Sequence, residues 1–136
     1  MTVDAHDAFS RWAVDEASRR GGSGTRAGTW TWLRPPPVGS AVLIQPMDTD
    51  SVRIATGWFI DFVVDIEPEH MAETARSLIR AVMDRGAVEH LAVVDGHASS
   101  AGWEIAHDLG SLGTRVSVAD AVARFDHPIP AWTTAG

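Results

Sequence analysis

The 136-residue chain contains no cysteine, no lysine, no asparagine and no tyrosine. Without cysteine there can be no disulfide and no thiolate metal site, and the chain suits a reducing compartment. No run of about 18 apolar residues occurs, so no membrane span is expected. The opening "MTVDAHDAFSRW" carries acids where a secretory leader needs basic residues and then an apolar core. A cytoplasmic location is the expectation. Without lysine, all 11 basic side chains are arginines, set against 18 acids for a net charge of −7. The chain therefore shows no basic face of the kind that displaces counterions from a duplex, and a nucleic-acid partner is not expected. No Gly-x-Ser-x-Gly elbow is present. "GGSG" at 21–24 is too short for a phosphate loop and follows a helix instead of a strand.

The charge is uneven. Residues 1–40 hold 4 acids and 5 arginines, and residues 41–136 hold 14 acids and 6 arginines. Such an excess keeps a protein soluble and can also form a docking face for a basic partner. The length suits one domain over residues 1–136, and a chain of this size can bury roughly two-thirds of its unfolded surface.

Residues 3–20 show Ala5, Phe9, Trp12 and Ala13 at helical spacing, with Thr2 as the expected N-cap. Residues 21–27 read as a flexible connector. In "GTWTWLR", 28–34, Trp30 and Trp32 share one side of a strand, which "PPP" at 35–37 halts. A second strand is expected over 40–47 and a third over 52–66. In the third, Trp58, Ile60, Phe62 and Val64 share one face, and Phe59, Asp61, Val63 and Asp65 share the other. Gly57 marks a bend or bulge. From Pro68 the stripe Met71, Ala72, Ala75, Leu78, Ile79, Val82 and Met83 predicts a helix that stops at Gly86.

Residues 88–94 predict a short buried strand. Ser99 or Ser100 then reads as the start of a helix to about Leu109. A last strand over 114–118, a helix over 118–125 capped by Ser117 and Asp120, and an extended tail over 126–136 complete the chain. The order α-β-β-β-α-β-α-β-α predicts a mixed α/β (α+β) fold. It consists of one five-stranded sheet, an antiparallel meander joined to parallel βαβ units, covered by helices.

That order is similar to the ribonuclease H-like fold. The resemblance implies carboxylates on the first strand, the following helix and the end of the fourth strand. Asp95 stands at the last position and Glu69 or Glu73 on the helix, but "GTWTWLR" holds no acid. Active nuclease chemistry is not expected, because topology alone does not confer function.

In "VVDGHASSAG", Asp95 and His97 lie beyond a strand end, where ligands bind in parallel sheets. With Glu73 they are the candidate catalytic groups of an enzyme reading. The plainer reading is a turn dipeptide followed by an N-cap serine. Glu104 and His107 are three apart, as in helical di-iron pairs, and His97, Glu104 and His107 are the candidate metal ligands. Glu67 and His70 repeat the spacing at a helix start, where acids are favoured anyway. No bundle is predicted to converge such pairs, so no cofactor is expected.

Among six tryptophans, Trp12, Trp58 and Trp103 are expected in the core. Trp30, Trp32 and Trp132 are candidate partner anchors, with Asp61 and Asp65 as acidic binding residues. The function expected from these features is protein–protein binding by a small acidic domain. One version is an inhibitor or immunity-type protein covering a basic site on its partner. The alternatives are a small metal- or ligand-binding enzyme of hydrolase type, with its site past residue 94, and a structural homo-oligomer.

Overall fold

The computed structural model describes residues 4–134. Helix α1 (Ala5–Arg19) is followed by strands β1 (Ser23–Ala27), β2 (Trp30–Arg34), β3 (Val42–Pro46), β4 (Ser51–Thr56) and β5 (Ile60–Asp65). Helix α2 (Glu69–Asp84) leads to β6 (Ala87–Val94), β7 (His97–His107), β8 (Gly110–Arg115) and β9 (Ala123–Ile129). The strands make two sheets, β1-β2-β3-β4-β5 and β8-β7-β6-β9. Every pairing is antiparallel.

Both helices form on the faces the sequence predicts. Phe9, Ala13 and Ala17 of α1 are buried, as are Ala72, Ala75, Leu78, Ile79, Val82 and Met83 of α2. Thr2 lies outside the described residues, and Asp4 is the α1 N-cap, its carboxylate accepting from the His6 amide at 3.1 Å. The helix ends are tied together. Arg20 donates to Glu16 at 2.5 Å and to both carboxylate oxygens of Asp84 at 2.6 and 3.0 Å.

In the first sheet, alternate residues turn inward. Leu33, Val42, Ile44, Val52, Ile54 and Ile60 are all buried, and they share one core with α1, α2 and residues of the second sheet, Trp103, Ile105 and Ile129 among them. Each such aliphatic side chain contributes roughly 1.5–3 kcal/mol on burial. The expected 52–66 strand is two strands, folded at residues 57–59 into a hairpin.

The expected single mixed sheet with parallel βαβ units is overturned, because the described residues hold two antiparallel sheets and two helices. The decisive segment is 88–118. Asp95 and Gly96 take φ of 51° and 77°, and Val94 pairs with His97. Positive φ at both central residues is what a two-residue type I′ turn needs, and Asp-Gly is among its preferred dipeptides. The chain therefore reverses at 95–96 instead of crossing over. The expected helix at 99–109 is strand β7, with Trp103 and Ile105 buried and Glu104 and Ala106 exposed, a period of two.

Two further expected elements differ. Residues 118–125 form no helix, and Ala123–Ile129 is a strand on the edge of the second sheet beside β6. Of the expected connector, Ser23–Ala27 form β1, paired with β2. Of the expected tail, residues 126–129 belong to β9, and Val38 bridges Thr133.

The reversal makes a prediction. Gly96→Val should destabilise by about 1–2 kcal/mol per strained residue, while Asp95→Asn, which keeps a favoured turn dipeptide, should stay within about 0.5 kcal/mol. Urea denaturation of both variants checks this.

Candidate functional site

Glu89 sits in the middle of β6 with no exposed surface. Its Oε1 accepts from the Trp58 amide at 3.0 Å and from Nδ1 of His127 at 3.0 Å, and its Oε2 accepts from the Phe59 amide at 2.5 Å. The β4–β5 hairpin of the first sheet is thus fastened to β6 and β9 of the second. The Trp58 indole stacks on the His127 ring with centroids 3.7 Å apart, and Phe62 meets Trp103 at 5.2 Å. At Gly57, with φ of 63°, a Cβ would lie 2.8 Å from Oε1 of Glu89, so the hairpin closes over the carboxylate only with glycine there. Sequence reasoning passed over Glu89. The available signal is a lone acid inside "VEHLAVV", 88–94, a strand expected to be buried.

The next residue, His90, points to the opposite face. Its Nδ1 meets Asp126 at 2.7 Å and its Nε2 meets Glu104 at 3.1 Å. Asp126, His90, Gly102 and Arg115 occupy matched positions across β9, β6, β7 and β8. His90 titrates above its ordinary value of 6.5, chiefly through the Asp126 hydrogen bond, with Glu104 adding to it, and against partial burial and the nearby Arg115.

The expected catalytic groups are not joined. Asp95 and His97 lie at the exposed β6–β7 hairpin tip. Glu73 is engaged on α2 with Arg76 at 3.0 Å and Arg80 at 3.1 Å, and these guanidiniums hold its carboxyl below the usual range. The expected metal ligands also separate. Glu104 and His107, three apart on a strand, face opposite sides. Glu104 pairs with His90, while Nδ1 of His107 meets the Ser77 hydroxyl of α2 at 2.9 Å. Among the described residues no group of three or more His, Asp or Glu side chains could hold a metal ion.

The expected binding residues fare differently. Trp30 and Trp32 point away from the core, at 38% and 42% exposure, and Asp61, Val63 and Asp65 alternate outward along β5. Trp32, Leu43, Ala55 and Asp61 stand at matched positions across β2 to β5. They border a shallow depression of about 450 Å³ that Trp58 and Phe59 also line. Arg53 grips Asp61 through two hydrogen bonds at 2.8 and 2.5 Å. Trp30, Trp32, Asp61 and Asp65 therefore share the outward face of the five-stranded sheet. Trp132 does not, being 7% exposed with its indole N–H donated to the Ser40 carbonyl at 2.9 Å. Trp103 is buried and Trp12 partly buried, as expected of core residues, whereas Trp58 is 61% exposed.

Comparison with protein-family models, curated proteins and solved structures returns no match.

Two predictions arise from these geometries. Glu89→Ala strands two backbone amides and His127, and should cost about 3 kcal/mol by urea denaturation; a cost under about 1 kcal/mol would contradict the fastening described. The stabilisation from His90 should be fully present below the unfolded-state value of about 6.5 and be lost as pH rises through the higher folded value. NMR titration should show the His90 midpoint above 6.5 and lowered in Asp126→Asn. An unchanged midpoint in that variant would refute the pairing.

Proposed function

We propose that the protein is a binding module that docks a basic protein partner on the outward face of the five-stranded sheet. The observation that carries this reading is the pair Trp30 and Trp32, exposed side by side on a sheet face whose other side is filled by the core. Exposed tryptophans on a rigid strand lose little conformational freedom on binding, and tryptophan is enriched among interface hot spots. Charge supports a basic partner. The chain carries −7, and exposed Asp65 lies beside the turn that holds exposed Asp48 and Asp50. Of the two arginines on this face, Arg53 is already committed to Asp61, and Arg34, next to Trp32 on β2, makes no ion pair among the described residues, so the basic-partner reading rests on the acids at the other end of the face.

An inhibitor or immunity-type role, in which this face covers a basic functional site on the partner, is the concrete form of the proposal. The proposed setting is the cytoplasm, where a chain without cysteine needs no oxidising environment to fold. Complementary charge would give fast association that slows with salt.

The test is a low-salt pull-down from the native host with the wild-type chain and with Trp30→Ala and Trp32→Ala. The reading expects one stoichiometric basic protein, held at least about 30-fold more weakly by Trp32→Ala, the loss of a typical hot spot. Circular dichroism should show the variants folded. Equal retention by the tryptophan variants would overturn the proposal, as would light scattering that finds a dimer which Trp32→Ala dissociates.

A further inference from the structure

A different surface, on the second sheet, carries an inference of its own. Eight of the eleven arginines are ion-paired. Arg34, Arg115 and Arg124 make no ion pair among the described residues. That is unexpected where 18 acids surround 11 arginines. Two of the three, Arg115 and Arg124, line one groove of about 660 Å³. Arg124 donates only to the Val118 carbonyl, at 2.9 Å. The carboxylate lining this groove belongs to Asp126, and it is engaged with His90 at 2.7 Å. The groove thus presents two guanidiniums that make no ion pair among the described residues, while Asp126 and Glu104 are both engaged by His90. Beside them stand Val116 and Phe125, which line the same groove and are 55% and 44% exposed.

We propose that this groove binds a small organic anion, with its phosphate or carboxylate head on Arg115 and Arg124 and its apolar body against Val116 and Phe125. Guanidinium is suited to such heads because its planar fork of donors matches both phosphate and carboxylate. An exposed aromatic and an exposed valine next to that fork favour a ligand with an apolar portion over a bare inorganic ion.

The experiment is an NMR titration of the folded chain with phenyl phosphate, benzoate and inorganic phosphate. Saturable shifts at Arg115, Phe125 and Asp126 are expected for at least one aryl anion, and which of the two binds identifies the head group. That anion should bind at least about tenfold more tightly than inorganic phosphate, given the area its ring buries. Arg115→Gln and Arg124→Gln should each weaken it about tenfold or more, as expected for a charge-assisted contact. Arg34→Gln should leave it unchanged, which separates a local site from general charge attraction. Phe125→Ala should remove the preference for the aryl anion and leave phosphate binding intact, a readout that does not depend on the arginine variants folding. The absence of saturation by either aryl anion up to about 10 mM, a range that covers even weak fragment affinities, would overturn the proposal. So would an equal loss in Arg34→Gln.

Discussion

A carboxylate without solvent contact holds this structure together. Burying Glu89 would be costly if it stood alone. Three donors offset that cost, two of them backbone amides of a hairpin in the other sheet. The direction of dependence matters. The amides of Trp58 and Phe59 sit at a hairpin end, where they have no ladder partner in β4–β5, and Glu89 supplies the acceptors. In return, the hairpin fixes where the second sheet meets the first. Gly57 leaves room for the carboxylate, and the Trp58–His127 stack covers it. Two antiparallel sheets that share no strand pairing among the described residues are thereby aligned around α2 and one shared core.

That arrangement decides which surfaces are available. The first sheet spends one face on the common core and keeps the other, whereas the second reaches that core through Ala87, Trp103, Ile105 and Ile129 and leaves β8 exposed along its whole length. The outward face of the first sheet is aromatic, with acids toward one end. On the second sheet, Asp126, His90 and Arg115 stand in register on β9, β6 and β8, with His90 clamped between Asp126 and Glu104 and with Arg124 lining the same groove. Most other cations in the molecule are consumed by intramolecular pairing, at the helix ends through Arg20 and along α2 through Arg76 and Arg80. Exposed pairs of that kind contribute little individually. Their consequence here is to leave few arginines outside an ion pair among the described residues, which makes those few informative.

Much of the first half of the fold was legible in the sequence. The apolar stripes of α1 and α2 have a clear helical period, and alternation puts Trp30 with Trp32 on one side of their strand and Asp61 with Asp65 on a partly wet face, but it does not say which side of the strand the tryptophans turn to solvent. The second half was misread for identifiable reasons. Asp-Gly between apolar runs is a strong hairpin signal, but a loop past a strand end serves a crossover equally well until the next element is known. "SSAG" resembles a helix start, and Glu104 with His107 resembles a helical pair. The alternation of Trp103 and Ile105 with Glu104 and Ala106 argued for a strand, and Gly102, at φ of 122°, cannot sit in a helix. The edge strand β9 contains Pro128, which sequence reasoning treats as a tail signal although an edge tolerates it. Long-range partners such as Glu89 with Trp58 and Phe59 have no local signature at all.

Hydrogen exchange at two backbone amides tests this account most directly. If Glu89 fastens the sheets, the Trp58 and Phe59 amides should exchange only through global unfolding, as slowly as those in the centres of β4 and β6, although Trp58 itself is largely exposed. Exchange of these two amides at the rate of an open hairpin turn, while β4 and β6 remain protected, would contradict it.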